Sequence, residues 1–274
     1  MDLKLYGYLL SIELLIKMEK ISIIIPAHNE EKRIGKTLEE YLKYFRILKK
    51  TKKIDFEIIV VLNACEDHTK KVVEMYKCKE LIILDFKEGG KGFAIIEGFK
   101  DSLKRKNNLI GFVDGDMATS PDAFYDLIKN IGNYGGIIGS RYVKGSIVSP
   151  PPSFSRIISS RIFNIIIRVL FLLKYRDTQC GAKVFKKETI EIILPKIGIT
   201  KWAFDVDLIY QIKKENINIR EYPTCWSDKE YSKINLKRAG PSMFLAVIRL
   251  RIINSHFKKI VEVYNKYTKN KNKE

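Results

Sequence analysis

Five short apolar runs, rich in β-branched residues, recur in the first half of the chain, each separated from the next by a stretch of helical character. They occupy residues 21–26 (ISIIIP), 56–62, 81–85, 109–114 and 135–140. None alternates apolar with polar residues, so each strand must be buried on both faces. The segment 30–49 places Ile34, Leu38, Leu42, Phe45 and Leu48 on one helical stripe. Further helices are predicted at 67–76, with Asp67 as a cap, at 92–103, and at 121–131, where Pro occupies the first turn. This alternation predicts an α/β fold with a mostly parallel sheet flanked by helices. Functional groups then belong in the loops beyond the carboxyl ends of the strands: 26–31, 62–69, 85–92, 114–121 and 140–146.

The pattern breaks at the Pro run 150–152. Four stretches are expected: an extension at 1–20, a strand-rich half at 21–150, a second half at 151–240, and a basic helix and tail at 241–274. Fifty Lys+Arg against 32 Asp+Glu give a formal net charge of +18. Residues 229–274 carry 12 of those cations and 3 of the anions, so half of the excess lies in the last sixth of the chain. Such a chain is drawn to anionic partners: phosphorylated substrates, phospholipid headgroups or nucleic acid. A hydrophobic share of 46% supplies a core and excludes global disorder. No run of 18 clean apolar residues predicts a membrane span. The apolar run at 9–16 lacks a basic start and a cleavage site, which argues against a signal peptide, and Met18 is an alternative start. Cys65, Cys78, Cys180 and Cys225 are scattered without a CxxC pair, pointing to a reducing compartment without structural disulfides. Neither a Walker A loop nor a G-x-G-x-x-G after the first strand is present, so a dinucleotide cofactor is not expected.

The loops carry the chemistry. Asp114-Gly115-Asp116 closes the fourth run; two carboxylates one residue apart can converge on a hard divalent cation, or one can cap the next turn. Such a cation would stabilise a diphosphate leaving group. Pro26 is expected to end its ladder and turn the chain. Asn29 and Glu30 beyond it can bind a nucleobase edge and ribose, or open the helix with Asn29 as N-cap. Asn63 to Asp67 form a second polar loop. Gly89-Gly90-Lys91-Gly92 allow close phosphate approach with a cation beside it. Arg141 can hold a phosphate bidentately or form a surface ion pair. Residues 153–176 carry Arg156, Arg161, Arg168, Lys174 and Arg176, no acid, and many apolar residues. That suits a helix in a membrane interface, or a core helix with snorkelling arginines. Residues 177–183 read as a polar loop able to hold an anionic sugar ligand. Asp205 and Asp207 beside Trp202 and Phe204 face one side if on a strand and diverge if on a helix.

Taken in order, these segments resemble the family-2 glycosyltransferases of GT-A fold, and within them the polyprenyl-phosphate sugar synthases. The carrying motifs are PAHNEE, VVLNACEDHT, GGKGFAIIEGF, DGD, GSRY, SRIISSRIFN, DTQCGAKVF, WAFDVDL and EYPTCWSDKEYSKINLKR, in a resemblance that runs over residues 21–251. The last five look most like the dolichyl-phosphate glucosyltransferase branch. The resemblance implies nucleotide-sugar contacts from Pro26, Ala27, Asn29, Glu30 and Gly115, with Asn63 at the base and Lys91 near the diphosphate. It implies Asp114 on the ribose or sugar side, Asp116 on Mg2+ or Mn2+, and Gln179 and Asp205 lining the sugar site. Asp114, Asp116 and Asp205 form the implied catalytic set; Arg141, Arg156 and Arg161 would grip an acceptor phosphate. The half at 21–150 would bind the nucleotide sugar and that at 151–240 the acceptor. Departures from the pattern are Asn63 in place of an Asp, Leu62 in place of an Asp or Asn, Ile96 in place of an Arg, and Ala182 in place of a Phe.

The resemblance implies metal-dependent, inverting transfer of a hexose, with UDP-glucose as donor and a polyprenyl phosphate as acceptor. The enzyme would work from the cytoplasmic face of a membrane, held peripherally by the 154–173 helix and the cationic tail. A phosphate acceptor needs no strong base, which matches a chain rich in Arg and poor in His. Two other readings stay open. One is a family-2 transferase using a non-lipid acceptor, with Asp205 or Asp207 as base. The other is a non-enzymatic anion or nucleic-acid binder, although no RNA-binding motif is present.

Overall fold

The computed structural model describes residues 19–198, 203–228 and 236–255. Residues 1–18, Trp202 and the tail from 256 onward, all given roles above, lie outside the described residues. The first five expected strands form: β1 (Lys20–Ala27), β2 (Asp55–Asn63), β3 (Leu81–Phe86), β4 (Leu109–Phe112) and β5 (Gly136–Ser140). Between them run α1 (Ile34–Lys50), α2 (Thr69–Glu74), α3 (Lys91–Leu103) and α4 (Pro121–Lys129). The rest comprises β6 (Ile147–Val148), α5 (Phe154–Phe171), β7 (Lys183–Lys186), α6 (Lys187–Ile193), α7 (Phe204–Lys214), β8 (Ile219–Pro223), β9 (Cys225–Trp226) and α8 (Leu236–Ile253).

A seven-stranded sheet has the order β3-β2-β1-β4-β7-β5-β8, parallel throughout except for β7, which runs antiparallel to β4 and β5. A strand from residues 151–240 is thus inserted between two strands from 21–150. The strand order reverses direction between β1 and β4, which opens a crevice beyond their carboxyl ends.

Both faces of the sheet are buried, as the uniform runs require. Ile21, Ile23 and Ile25 pack with Leu38, Tyr41 and Phe45 of α1 and Phe124 of α4. Ile24, Ile59 and Val61 pack on the other face with Phe99 of α3, Phe171 of α5 and Leu208 of α7. Pro26 does not turn the chain. It pairs in register with Val61, and the strand runs one residue further to Ala27, opposite Leu62. Residues 177–183 are not all loop, because β7 begins at Lys183.

Helix α3 lies so close to β1 that a Cβ on Gly98 would stand 2.6 Å from Ile24 Cγ2 and 2.9 Å from Cγ1. Ile24 is fully buried and β-branched, so it cannot swing aside. Gly98→Ala should therefore lower stability by about 1–3 kcal/mol in urea unfolding, with unchanged activity per folded molecule.

Candidate active site

Helix α1 anchors the loop that carries Asp114 and Asp116. Thr37 and Tyr41, one turn apart on its buried face, donate from Oγ1 to the Gly115 carbonyl (2.8 Å) and from the hydroxyl to the Thr119 carbonyl (3.0 Å). Met117, in the same loop, has φ +60°. Asn29 (φ +54°) and Ala64 (φ +48°) adopt the same left-handed region after β1 and β2. Non-glycine residues rarely do so, and three at one sheet edge mark loops held in shape by their surroundings.

The holding is done by side chains expected to touch ligand. Asn63 is buried; its Nδ2 donates to the Ala27 carbonyl (2.8 Å) and its Oδ1 accepts from the Gly90 amide (3.0 Å). It stitches three loops together, and both ends of its amide are engaged, so it does not present itself to a base. Asn29 is no helix cap: its Oδ1 accepts from the Glu66 and Asp67 amides. The Glu30 carboxylate is held by Arg33 through two bonds of 2.6 Å.

Across this edge runs a ladder of alternating charge. Lys91 Nζ lies 2.7 Å from Asp114 Oδ1 and 3.9 Å from Asp205 Oδ2. Asp205 Oδ1 accepts from Lys183 Nζ at 2.6 Å. Packing sets this alignment. Gly92 abuts Phe204, which brings the start of α3 beside the start of α7, and Gly181 abuts the Asp114 carboxylate. Lys91 and Asp114 are about a third exposed (36% and 34% of the side chain), open to a ligand, whereas Lys183 is sealed. Burial opposes the charge on Lys91, but Asp114 and Asp205 outweigh it and hold the ammonium well above its ordinary pKa. Burial likewise opposes Asp205, yet Lys183 and Lys91 hold its carboxyl below the usual range. Asp116 goes the other way: burial, then Asp114, push its carboxyl up against the Ala118 amide and Arg33. Arg33 Nη1 is 3.8 Å from Asp116 Oδ2. Asp207 leaves the group, because on helix α7 it diverges from Asp205. It is buried and accepts from the Gly198 amide (2.7 Å) and Gln211 Nε2 (2.8 Å).

The arginines are more committed than their spacing suggested. Arg141 grips the fully buried Asp177 through Nε (2.7 Å) and Nη2 (2.9 Å), and its amide donates to the same carboxylate. Burial would raise Asp177, but Arg141 holds it below the usual range. The Arg141 guanidinium also stacks on Trp226 (5.2 Å) and Tyr142 (5.3 Å). Its bidentate face is therefore turned to protein, not to an acceptor. Arg156 binds Asp228 (2.8 Å). Arg161 is exposed on α5, 5.4 Å from the Tyr142 ring. Gln179 lies in the loop before β7, its amide 3.4 Å from Asp177 Oδ1. Arg33, Thr37, Tyr41 and Lys183 were not singled out from sequence; only the i,i+3 spacing of Glu30 and Arg33 signalled one of them. Because a side chain at Gly181 would displace the Asp114 carboxylate, Gly181→Ala should cut catalysis at this edge about 100-fold. Its circular dichroism should match that of the parent chain.

The description "Glycosyl transferase family 2" matches residues 22–194, more than half of the chain. The chain is 32% identical over 245 residues to a dolichyl-phosphate beta-glucosyltransferase of Dictyostelium discoideum, covering 84% of this chain and 73% of that protein. With the human protein of the same description it shares 32% over 234 residues, covering 79% and 70%. Among solved structures it is similar to glucosyl-3-phosphoglycerate synthase from Mycobacterium tuberculosis in complex with Mn2+, UDP and phosphoglyceric acid. The TM-score is 0.61 at 13% identity, over 85% of this chain and 78% of that one. A second structure of that synthase, with Mg2+ and UDP, gives 0.60 at 14%, over 90% and 82%. At such identity the likeness speaks for the GT-A fold alone. The family match and the curated relatives go further: the chain belongs to glycosyl transferase family 2 and is a glycosyltransferase.

Proposed function

We propose that this enzyme transfers glucose from UDP-glucose to a dolichyl-type polyprenyl phosphate, inverting the anomeric centre, at a membrane surface. One observation carries the choice of acceptor. Asp205, the carboxylate placed to act as a base, is pinned by Lys183 and Lys91 and held below the usual carboxylate range. Asp207, the other candidate, is buried among its own hydrogen bonds. A hydroxyl acceptor needs a base near neutrality. A phosphate monoester is already anionic and needs position and charge balance instead. The names of the relatives agree with this reading.

The donor diphosphate would lie over Lys91 beside the Asp114–Asp116 loop. Asp116 fits a divalent cation, since its carboxyl is crowded by Asp114 and only weakly compensated by Arg33 at 3.8 Å. Among the described residues no cluster of three or more His, Cys, Asp or Glu could hold a metal. The fit is thus to Mg2+ or Mn2+, which take one or two carboxylates and complete their shell with phosphate and water. When bound, such an ion offsets charge on the departing diphosphate. The chain's own residues orient the donor: Lys91 meets the phosphates and Asp205 faces the sugar. Arg161, the exposed arginine of the expected trio, is left to meet the acceptor phosphate.

The membrane reading rests on α5. Its buried side packs Asn164, Ile167 and Phe171. Its outer side exposes Phe154, Ile158, Ile162, Ile165, Val169 and, just past its end, Leu172, spaced three or four apart. Arg161 and Arg168 are exposed along the same stretch, and Phe244 and Leu245 of the neighbouring α8 extend the apolar surface. No helix among the described residues is long and apolar enough to cross a membrane. An apolar stripe edged by arginines suits an interfacial helix on anionic lipid, on the cytoplasmic face where nucleotide sugars are at hand.

Radiolabelled UDP-glucose with a short polyprenyl phosphate and Mg2+ should give labelled lipid. Asp116→Ala, or a chelator, should lower that rate by about 100-fold or more; full activity in both would remove the metal from the reaction. Turnover on water-soluble acceptors alone would select the non-lipid reading. The pair Ile162→Asp and Val169→Asp should abolish co-sedimentation with anionic vesicles while sparing turnover of a detergent-dispersed short acceptor. Undiminished vesicle binding by that variant would overturn the role of α5.

A further inference from the structure

We infer that Lys183 is a positioning residue that fixes the Asp205 carboxylate and, through it, the Lys91 ammonium for the sugar-diphosphate donor. The inference rests on the proposed reading of this edge as the donor site. Lys183 stands at the start of β7, paired with Phe112 of β4 and Ile138 of β5, in the middle of the sheet. Its side chain is fully buried. The ammonium donates to the Cys180 carbonyl and to Asp205 Oδ1, each at 2.6 Å, and sits 5.1 Å above the Phe112 ring. An apolar side chain of equal length would fill the same layer without desolvating a charge, so packing alone gives no reason for a lysine here.

What the charge does is divide Asp205. One carboxylate oxygen is tied down to Lys183; the other faces Lys91 at 3.9 Å. Lys91 is then shared between Asp205 and the closer Asp114, at 2.7 Å. Without Lys183 both Asp205 oxygens are free to turn to Lys91 and draw it inward from Asp114 and from the diphosphate. The cations facing Asp205 are Lys183 from β7, Lys91 from α3 and, at longer range, Arg141 after β5. Of these, only Lys183 approaches from inside the core.

The experiment is a double-mutant cycle in the full chain: Lys183→Met, Asp205→Asn and both together, assayed with UDP-glucose and a short polyprenyl phosphate. Lys183→Met should lower kcat about tenfold or more while KM for UDP-glucose moves less than about threefold. That loss should vanish in the Asp205→Asn background, because Lys183 acts only through Asp205. The thermal midpoint should fall, because Asp205 and the Cys180 carbonyl lose their buried donor, so kcat is compared per folded molecule below both midpoints. A wild-type kcat in Lys183→Met, or an equal loss in both backgrounds, would overturn the inference. Should Lys183→Met fail to fold, Lys183→Arg carries the same cycle, and its loss too must disappear with Asp205→Asn. An Asp205→Asn variant with wild-type turnover would sink the donor-site reading itself. An impaired Asp205→Asn with an indifferent Lys183→Met sinks only the role of Lys183.

Discussion

Charge at the carboxyl edge of this sheet is arranged by depth. Lys183 lies in the core, Asp205 just above it, and Lys91 and Asp114 at the solvent boundary, with alternating sign at every step. Asp205 is neutralised by Lys183 and Lys91, which hold its carboxyl down, whereas burial and the neighbouring Asp114 push the carboxyl of Asp116 up. On the proposed reading, a donor diphosphate with its cation would complete the ladder at its Asp114–Asp116 end. Alternation also explains why the loops need such firm anchoring: opposite charges at 2.6–3.9 Å hold their order only if the backbone cannot drift. Thr37, Tyr41 and Asn63 supply that anchoring through uncharged hydrogen bonds that do not disturb the ladder.

The parts of the fold legible in sequence were those whose cause is local. A β-branched run buried on both faces announces itself, so β1 to β5 and the helices between them could be read off, as could Asp114 and Asp116 at the end of β4. β7 could not: it is four residues long, begins and ends with lysine, and takes its place only through antiparallel pairing with two strands formed from earlier sequence. A lysine reads as exposed from sequence because burial needs a partner, and the partner here is 22 residues away on another element. Asn63 and Arg141 have protein partners that the sequence did not disclose, for the same reason. Their residue types fit a ligand, but Gly90 and Asp177, which occupy them, are 27 and 36 residues distant. Polar side chains declare what they can bind, and only the fold decides whether protein has already bound it.

Arg141 shows what such occupation achieves. Its guanidinium contacts both the Trp226 and the Tyr142 ring, and Tyr142 in turn meets Arg161 and donates its hydroxyl to Ser160 of α5 at 2.7 Å. Trp226 bridges to Thr119, and the Ser227 amide donates to the Ala118 carbonyl at 2.9 Å, within the loop that carries Asp116. Ring and cation contacts, continued by backbone hydrogen bonds, therefore join the outer, apolar helix to the loop that carries Asp116, with the buried Asp177 as counter-ion of Arg141. An arginine packed on rings needs its charge neutralised, and the bidentate carboxylate binds it at the edge, which leaves the guanidinium plane available to the rings. Arg141, expected to grip an acceptor, thus helps tie the outer apolar helix to the loop that carries Asp116.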